Sequence, residues 1–418
     1  MTKLFNRWLS LERNKGVSNV YRLVALAAII GASVLGTAAA DDHTGYVETD
    51  LVVNKQVNGV PTLTDGNGIV HVAKFFDPNL LNPWGVGESA TSPFWVSDNG
   101  NGTASLYNTP GQPQSLVVAI PAPGDPLGAG GAPTGLVFNP AMAQGAFKIS
   151  GVTSGGAPTT APAFFLFATE DGTILGWNPN VNPPGTPAAS LGKHAIIAID
   201  HSANPNAANH AVYKGLAVAR DSISGNVFLY ATNFRADTVE VYDSSFHPAS
   251  LPADAFTDSH LPNGYAPFNI VPVNINNFTE LFVTYAVQNA DKHDDVAGQS
   301  HGIVDTFDLS GHMLARFAQH GQLNSPWGVT QAPASFGEFG GDLLIGNFGN
   351  GHINAFDPMT GEFLGKVRNP HGQAIVIEGL WTIMFGNGGN GGNRDTLYFT
   401  AGPNGEADGL FGSLTPQE

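Results

Sequence analysis

Residues 82–108, NPWGVGESATSPFWVSDNGNGTASLYN, read as a strand, a turn, a second strand ending on polar residues, a Gly-Asn turn and a third strand. The opening Pro-Trp-Gly returns at Pro326, Trp327 and Gly328. The close, a strand then Asn/Gly/Asp then a strand, returns in FFLFATEDGTILGWN (164–178), FLYATNFRADTVEVYD (228–243) and LLIGNFGNGHINAFD (343–357). A unit repeated every few tens of residues cannot bury its apolar faces alone, so neighbouring copies must cover them.

Working outward, six units can be laid out, with first strands beginning near Pro83, Pro133, Lys214, Pro267, Pro326 and Glu378. Five carry a Gly soon after (PWGV, PTGL, KGLA, PWGV, EGLW), and the fourth has Phe268 and Asn269 instead. Second strands follow as FWVSD, FFLFATE, VFLYATN, LFVTYAVQN, DLLIGN and TLYFTAG, and third strands as TASLYN, TILGWN, TVEVYD, GIVDTFD, HINAFD and GLFGSL. Fourth strands read as SLVVAI, HAIIAI, FTDSHL, LARFAQ and FLGKVR, leaving the sixth unit one short. YVETDLVVN (46–54) is placed to supply it, pairing an otherwise open edge. No convincing amphipathic helix intervenes. The expectation is an all-β chain, a six-bladed β-propeller closed by an N-terminal outer strand in the last blade, forming one domain over 41–418.

Composition agrees. The chain has 52 Gly and 29 Pro with only 12% charged residues, a mix suited to short strands and turns. It has no cysteine, which excludes disulfides, thiolate zinc sites and a cysteine nucleophile. Lys3, Arg7, Arg13, Lys15 and Arg22 precede the apolar run 23–40, which ends in Ala38, Ala39 and Ala40. This reads as a signal peptide over 1–40, with an uncleaved anchor as the rival, and predicts a periplasmic or secreted protein. Those forty residues hold 5 of the 17 basic and one of the 34 acidic side chains. The remainder carries 12 basic and 33 acidic groups, a net charge of −21. Such a field repels phosphate backbones and excludes nucleic acid as a partner. No stretch beyond the leader is apolar enough to span a membrane.

Two sets of residues carry the chemistry. Second strands end on Asp98 and Asn99, Glu170 and Asp171, Asn233, Gln288 and Asn289, and Asn347, with Asn404 after the sixth. Equivalent positions belong on one face, where a ring of carboxylate and amide oxygens suits calcium, the candidate cofactor; the rival is ordinary turn chemistry. The loop QNADKHDDVAGQSH (288–301) interrupts the fourth unit and brings His293, Asp294, Asp295 and His301, a mixture able to bind a ligand or metal or to exchange protons. Trp84, Trp327 and Trp381 are expected to pack between units rather than form an exposed platform. GNGGNGGNRD (386–395) reads as a hairpin loop.

DPNLLNPWG (77–85), SPWGVT (325–330), EGLWTIMFGNGG (378–389) and DTLYFTAGPNGEADGLFG (395–412) resemble a family of exported bacterial propellers with repeated Asn-Pro-Trp-Gly motifs, departing from it near 55–69. More distantly the units are similar to NHL-type repeats and gluconolactonase-like calcium propellers. The latter likeness implies a metal ligand at Glu378, from its Glu-Gly opening, the one pair that matches; Asn269, from the unit lacking the usual Gly, is a candidate partner across the channel, with Asp98 or Asn233 as others, and a water-bonded channel glutamate is the rival. The expected function is a monomeric exported module binding a small molecule, glycan or protein on one disc face. The alternatives are a calcium-dependent hydrolase of lactonase type and a structural envelope or matrix component.

Overall fold

Alternating apolar residues in each repeat resolve into short antiparallel strands joined by turns. The computed structural model describes residues 45–221 and 224–417; the leader expected at 1–40 lies outside them. Among the described residues the architecture is all-β and propeller-like, with short 3-10 turns as its helical content.

The first sheet pairs Pro83–Gly87, Phe94–Asp98, Thr103–Tyr107 and Val118–Ala119 in sequence order. The second pairs Pro133–Phe138, Phe165–Thr169, Thr173–Trp177 and Ile196–Asp200. The third has three strands, Tyr213–Arg220, Val227–Asn233 and Thr238–Tyr242. FTDSHL, expected as its fourth, is loop; Phe256 donates its backbone N–H to Gly311 O instead of to a neighbouring strand. The fourth sheet comprises Tyr265–Ile275, Phe278–Val287, Ile303–Phe307 and Met313–Gln319, and the fifth Pro326–Gln331, Leu343–Asn347, Ile353–Phe356 and Phe363–Lys366. In the last, Leu380–Phe385, Leu397–Ala401 and Leu410–Pro416 are followed by Tyr46–Val53, antiparallel to Leu410–Pro416, and then by Phe75–Phe76. Each first strand lies against the first strand of the next sheet, and Leu380–Phe385 lies against Pro83–Gly87.

Five of the six first strands share one irregularity. Pro83 pairs with Asp98 but Val86 with Val96, and the same skip follows Pro133, Tyr213, Pro326 and Leu380. In the fourth sheet the bulge falls between Pro267 and Asn269 and restores the same register, Ile270 facing Val283. The shared register aligns Trp84, Thr134, Lys214, Phe268, Trp327 and Trp381 as one layer. The next layer is Gly85, Gly135, Gly215, Asn269, Gly328 and Thr382. Glycine is required where adjacent strands touch: a Cβ on Gly85 would stand 2.4 Å from Thr134 O, and one on Gly135 2.5 Å from Leu216 N. The sixth unit is therefore read correctly from Leu380 and Trp381, and Glu378 sits in a turn before the strand.

The aromatic layer is the hub. Trp84, Trp327 and Trp381 are at most 3% exposed; Trp84 and Trp381 stack at 3.6 Å, and Trp327 meets both edge-on near 5 Å, with Phe268 and Phe234 alongside. They pack against one another at the hub as well as between sheets. Losing one such ring costs roughly 3–5 kcal/mol. On one side of this hub is a cavity of 320 Å³ lined by Gly85, Gly135, Asn269, Gly328 and Thr382 of the glycine layer and by apolar side chains such as Leu136 and Ile383.

Two small sheets were not expected from the sequence. Lys148–Val152 pairs with Pro158–Pro162, and Gln56–Val57 and Val60–Thr64, from a stretch (55–68) that reads as polar turns, join Val70–Val72, from a run (69–76) that reads as β-like, in a three-stranded sheet.

Candidate functional site

The other side of the hub, where first strands begin and second strands end, is polar. Lys214 follows Tyr213 at the start of its strand and occupies the layer otherwise filled by Trp, Phe or Thr. It is 1% exposed, with Nζ 4.8 Å from the Trp84 ring centre. An ammonium out of water needs a counter-charge. Glu170, immediately after the second strand of the second sheet, pairs with it, and Asp294 Oδ1 stands 3.7 Å away. His293 Nδ1 lies 2.7 Å from Asp294 Oδ1 and 3.9 Å from Glu170 Oε1. Asn99 Nδ2 donates to the second Glu170 oxygen at 3.0 Å. Asn82 donates to Glu406 Oε2 at 2.7 Å and accepts from Trp381 Nε1 at 3.2 Å, tying the cluster to the hub.

The electrostatics are uneven. The hydrogen bond from His293, followed by the Lys214 charge, holds Asp294 below the usual carboxylate range despite partial burial. Burial pushes Asp295 and Glu406 up, against the pull of Ser325 and Asn82 respectively. The mouth thus combines a carboxyl held low, two pushed up by burial, and a buried lysine. Beside it, a groove of 560 Å³ runs between 208–209 and the loop 288–301, lined by Asn209, Arg235, Asp291, Lys292, His293 and Asp294. Arg235 Nη1 bonds His210 O, while its buried Nε has no partner.

Of the loop residues singled out in the sequence, His293 and Asp294 reach the hub. Asp295 turns inward, its Oδ2 shut from solvent without a hydrogen-bond partner. His301 folds back, Nδ1 on Val296 O at 2.9 Å. The residues proposed for calcium go elsewhere. Glu378 accepts backbone N–H bonds from Gly66 and Asn404. Asn269 Nδ2 bonds Trp327 O at 2.9 Å, stitching neighbouring sheets. Asp98 is fully buried against Ser105 and Thr103, and Asn233 donates to Glu240 at 2.7 Å. Among the described residues no hydrogen bond joins any two of these four. Glu170, His293 and Asp294 do offer ligand atoms within 4.8 Å of one another, but Lys214 already pairs with that set.

Sequence reasoning passed over Lys214 as chemistry, and also Gly298-Gln299-Ser300-His301-Gly302, which spells G-x-S-x-G. The spelling needs a strand-to-helix elbow to act. Here it lies in a loop, with Ser300 Oγ directed at Gly321 O and no imidazole bonded to it.

These features define a class, an all-β propeller-like protein with a charged cluster at the mouth of its hub. No family model matches the chain. It is 30% identical over 343 residues to uncharacterized protein R648 of Acanthamoeba polyphaga mimivirus, covering 81% of this chain and 76% of that protein. Over 355 residues it is 30% identical to uncharacterized protein L690 of the same virus, covering 83% of each. The chain belongs to the family of these proteins. Among solved structures it is similar to a streptogramin B lyase (TM-score 0.43, 10% identity, 89% of this chain and 97% of that one). It is similar also to the PQQ-bound aldose sugar dehydrogenase of Streptomyces coelicolor (TM-score 0.44, 12% identity, 89% and 98%). No helix of the described residues is long and apolar enough to cross a membrane.

Proposed function

We propose that the protein is a binding module, a six-bladed propeller whose last blade is completed by Tyr46–Val53 and whose ligand sits at the charged mouth of the hub. The reading of six blades draws support from the shared bulge register and from the ring of first strands, each against the next. The observation that carries the function is the convergence on Lys214 of Glu170 from the second sheet and of Asp294 from the loop 288–301, with His293 of that loop beside both carboxylates. Such an inserted loop on a rigid scaffold is where binding residues concentrate. Donors (Arg235, Lys292, Asn209) and acceptors (Asp291, Asp294) in the adjoining groove favour a small polar ligand bearing hydroxyl or amino groups. The basic and apolar leader supports a location outside the cytoplasm for the protein and that ligand, and we propose that it acts there as a monomer.

The test is a thermal-shift screen with sugars, amino acids and polyamines, on the wild type and on a His293→Ala/Asp294→Asn double variant. One chemical class should raise the wild-type midpoint and leave the variant unmoved. A shift of equal size in both proteins, or none from any class with the wild type, defeats the assignment.

A further inference from the structure

A second charged cluster lies apart from the mouth, on the strand that completes the last sheet. Glu48 and Asp50 are two residues apart on Tyr46–Val53 and so share a face. Facing them is His71, the middle residue of Val70–Val72. That strand is inverted relative to expectation: Val70 and Val72 are 57% and 60% exposed, while His71 is only 5% exposed. A buried polar residue between two exposed apolar ones is the informative kind of exception. His71 Nδ1 lies 3.1 Å from Asp50 Oδ1 and 4.0 Å from Glu48 Oε1, and Nε2 lies 3.8 Å from Asp65 Oδ2.

The fourth group, Asp65, faces the imidazole from its far side. The Asp65 side chain is 1% exposed. Its Oδ1 holds the turn by accepting from Asn67 and Ile69 N–H groups, but its Oδ2, aimed at the imidazole, has no hydrogen-bond partner, and neither has Glu48 Oε1. Buried oxygens left in this state are costly unless something satisfies them. Three unlike ligand atoms, one nitrogen and two carboxylate oxygens, fall within 4.8 Å of one another.

We propose that Glu48, Asp50 and His71 bind a first-row divalent cation of the zinc class, with Asp65 orienting the imidazole from its far side. A carboxylate on the second ring nitrogen is the usual outer partner of a metal-bound histidine, since it sets the tautomer that aims the lone pair at the metal. One imidazole with two carboxylates suits zinc or its neighbours better than calcium, which prefers six to eight oxygens. The ion would join the small sheet ending at Val72 to the strand Tyr46–Val53. The site is independent of the mouth ligand.

Calorimetric titration of chelator-stripped full-length protein with zinc chloride, and separately with calcium chloride, tests this. Zinc should give a saturable one-to-one event that His71→Gln and Asp50→Asn each abolish. Asp65→Asn should weaken it by about 10–100-fold. His293→Ala/Asp294→Asn, which removes the ligating groups at the mouth, should leave it unchanged. Circular dichroism showing native sheet content in each variant separates lost binding from lost fold, and Asp50→Asn, nearly isosteric, covers a failure of His71→Gln to fold. No zinc event, an event surviving both His71→Gln and Asp50→Asn, or saturable binding of calcium in preference to zinc would overturn the assignment. Unchanged affinity in Asp65→Asn would overturn the orienting role.

Discussion

At the scale of the residue, Lys214 concentrates the argument. A charged side chain almost never sits fully buried without partners, and here the partners come from two other sheets and a loop. In the sequence it stood in plain view, as the one basic residue among the six openings, PWGV to EGLW. It reads as chemistry only once the register places it in a ring of tryptophans, and that depends on pairings far apart in the chain. Glu378 shows the converse: its Glu-Gly spelling was legible, but its partners, Gly66 and Asn404, were not. Glu88 offers a pH test. Burial pushes its carboxyl up to about 8, against the pull of the Asn387 N–H and Arg394. A group that holds its proton more tightly when folded contributes stability that is complete below its unfolded value, near 4.5, and lost as pH rises through about 8. The melting midpoint of the wild type should therefore fall between pH 5 and 9, and Glu88→Gln should remove part of that fall. Parallel curves for the two proteins would show that the carboxyl is solvated in the folded state.

At the scale of the element, the repeated bulge and its glycine layer explain what the Pro-Trp-Gly motif is for. Tryptophan fills the hub, and after Trp84 and Trp327 the next residue is glycine because the neighbouring strand touches it. A Cβ on Gly215 would stand 2.4 Å from Asn269 Oδ1 and 2.8 Å from Ile270 N. Gly215→Ala should thus cost about 1–3 kcal/mol in chemical denaturation, as overpacking against backbone does. Gly130→Ala, where the nearest atom lies 3.6 Å away, should be close to neutral. Equal stability of the two variants would mean that the strands part without cost. Most strands were legible because apolar alternation and turn residues spell them locally. The exceptions have local causes too. PTTAP in Pro158–Pro162 carries two prolines, which argue against a strand. Gln56–Val57 is only two residues long and wholly exposed, and FTDSHL mimics an edge strand it does not form. The loop 288–301 was legible as an interruption, though not where its tip would land.

At the scale of the whole molecule, the last sheet is completed by a strand from near the start of the described chain. Tyr46 pairs with Pro416 and Val53 with Leu410, and Tyr46, Leu51, Val52 and Val53 are buried. Deleting 46–53 would leave Leu410–Pro416 as a bare edge and remove roughly 5 kcal/mol of apolar burial. The truncated protein should elute as soluble aggregates in gel filtration and unfold at lower denaturant; a monomer of unchanged stability would show that the last sheet stands without this strand. The pairing also sets a timetable for biosynthesis. A ribosome adding about 5–20 residues per second needs roughly 20–70 s to travel from Tyr46 to its partner. Throughout that interval Tyr46–Val53 has only the short parallel strand Phe75–Phe76 beside it and waits for its antiparallel partner. Only when Leu410–Pro416 emerges can the last sheet be completed, so nascent protein should be more vulnerable to proteases and to its own copies before that point than after it.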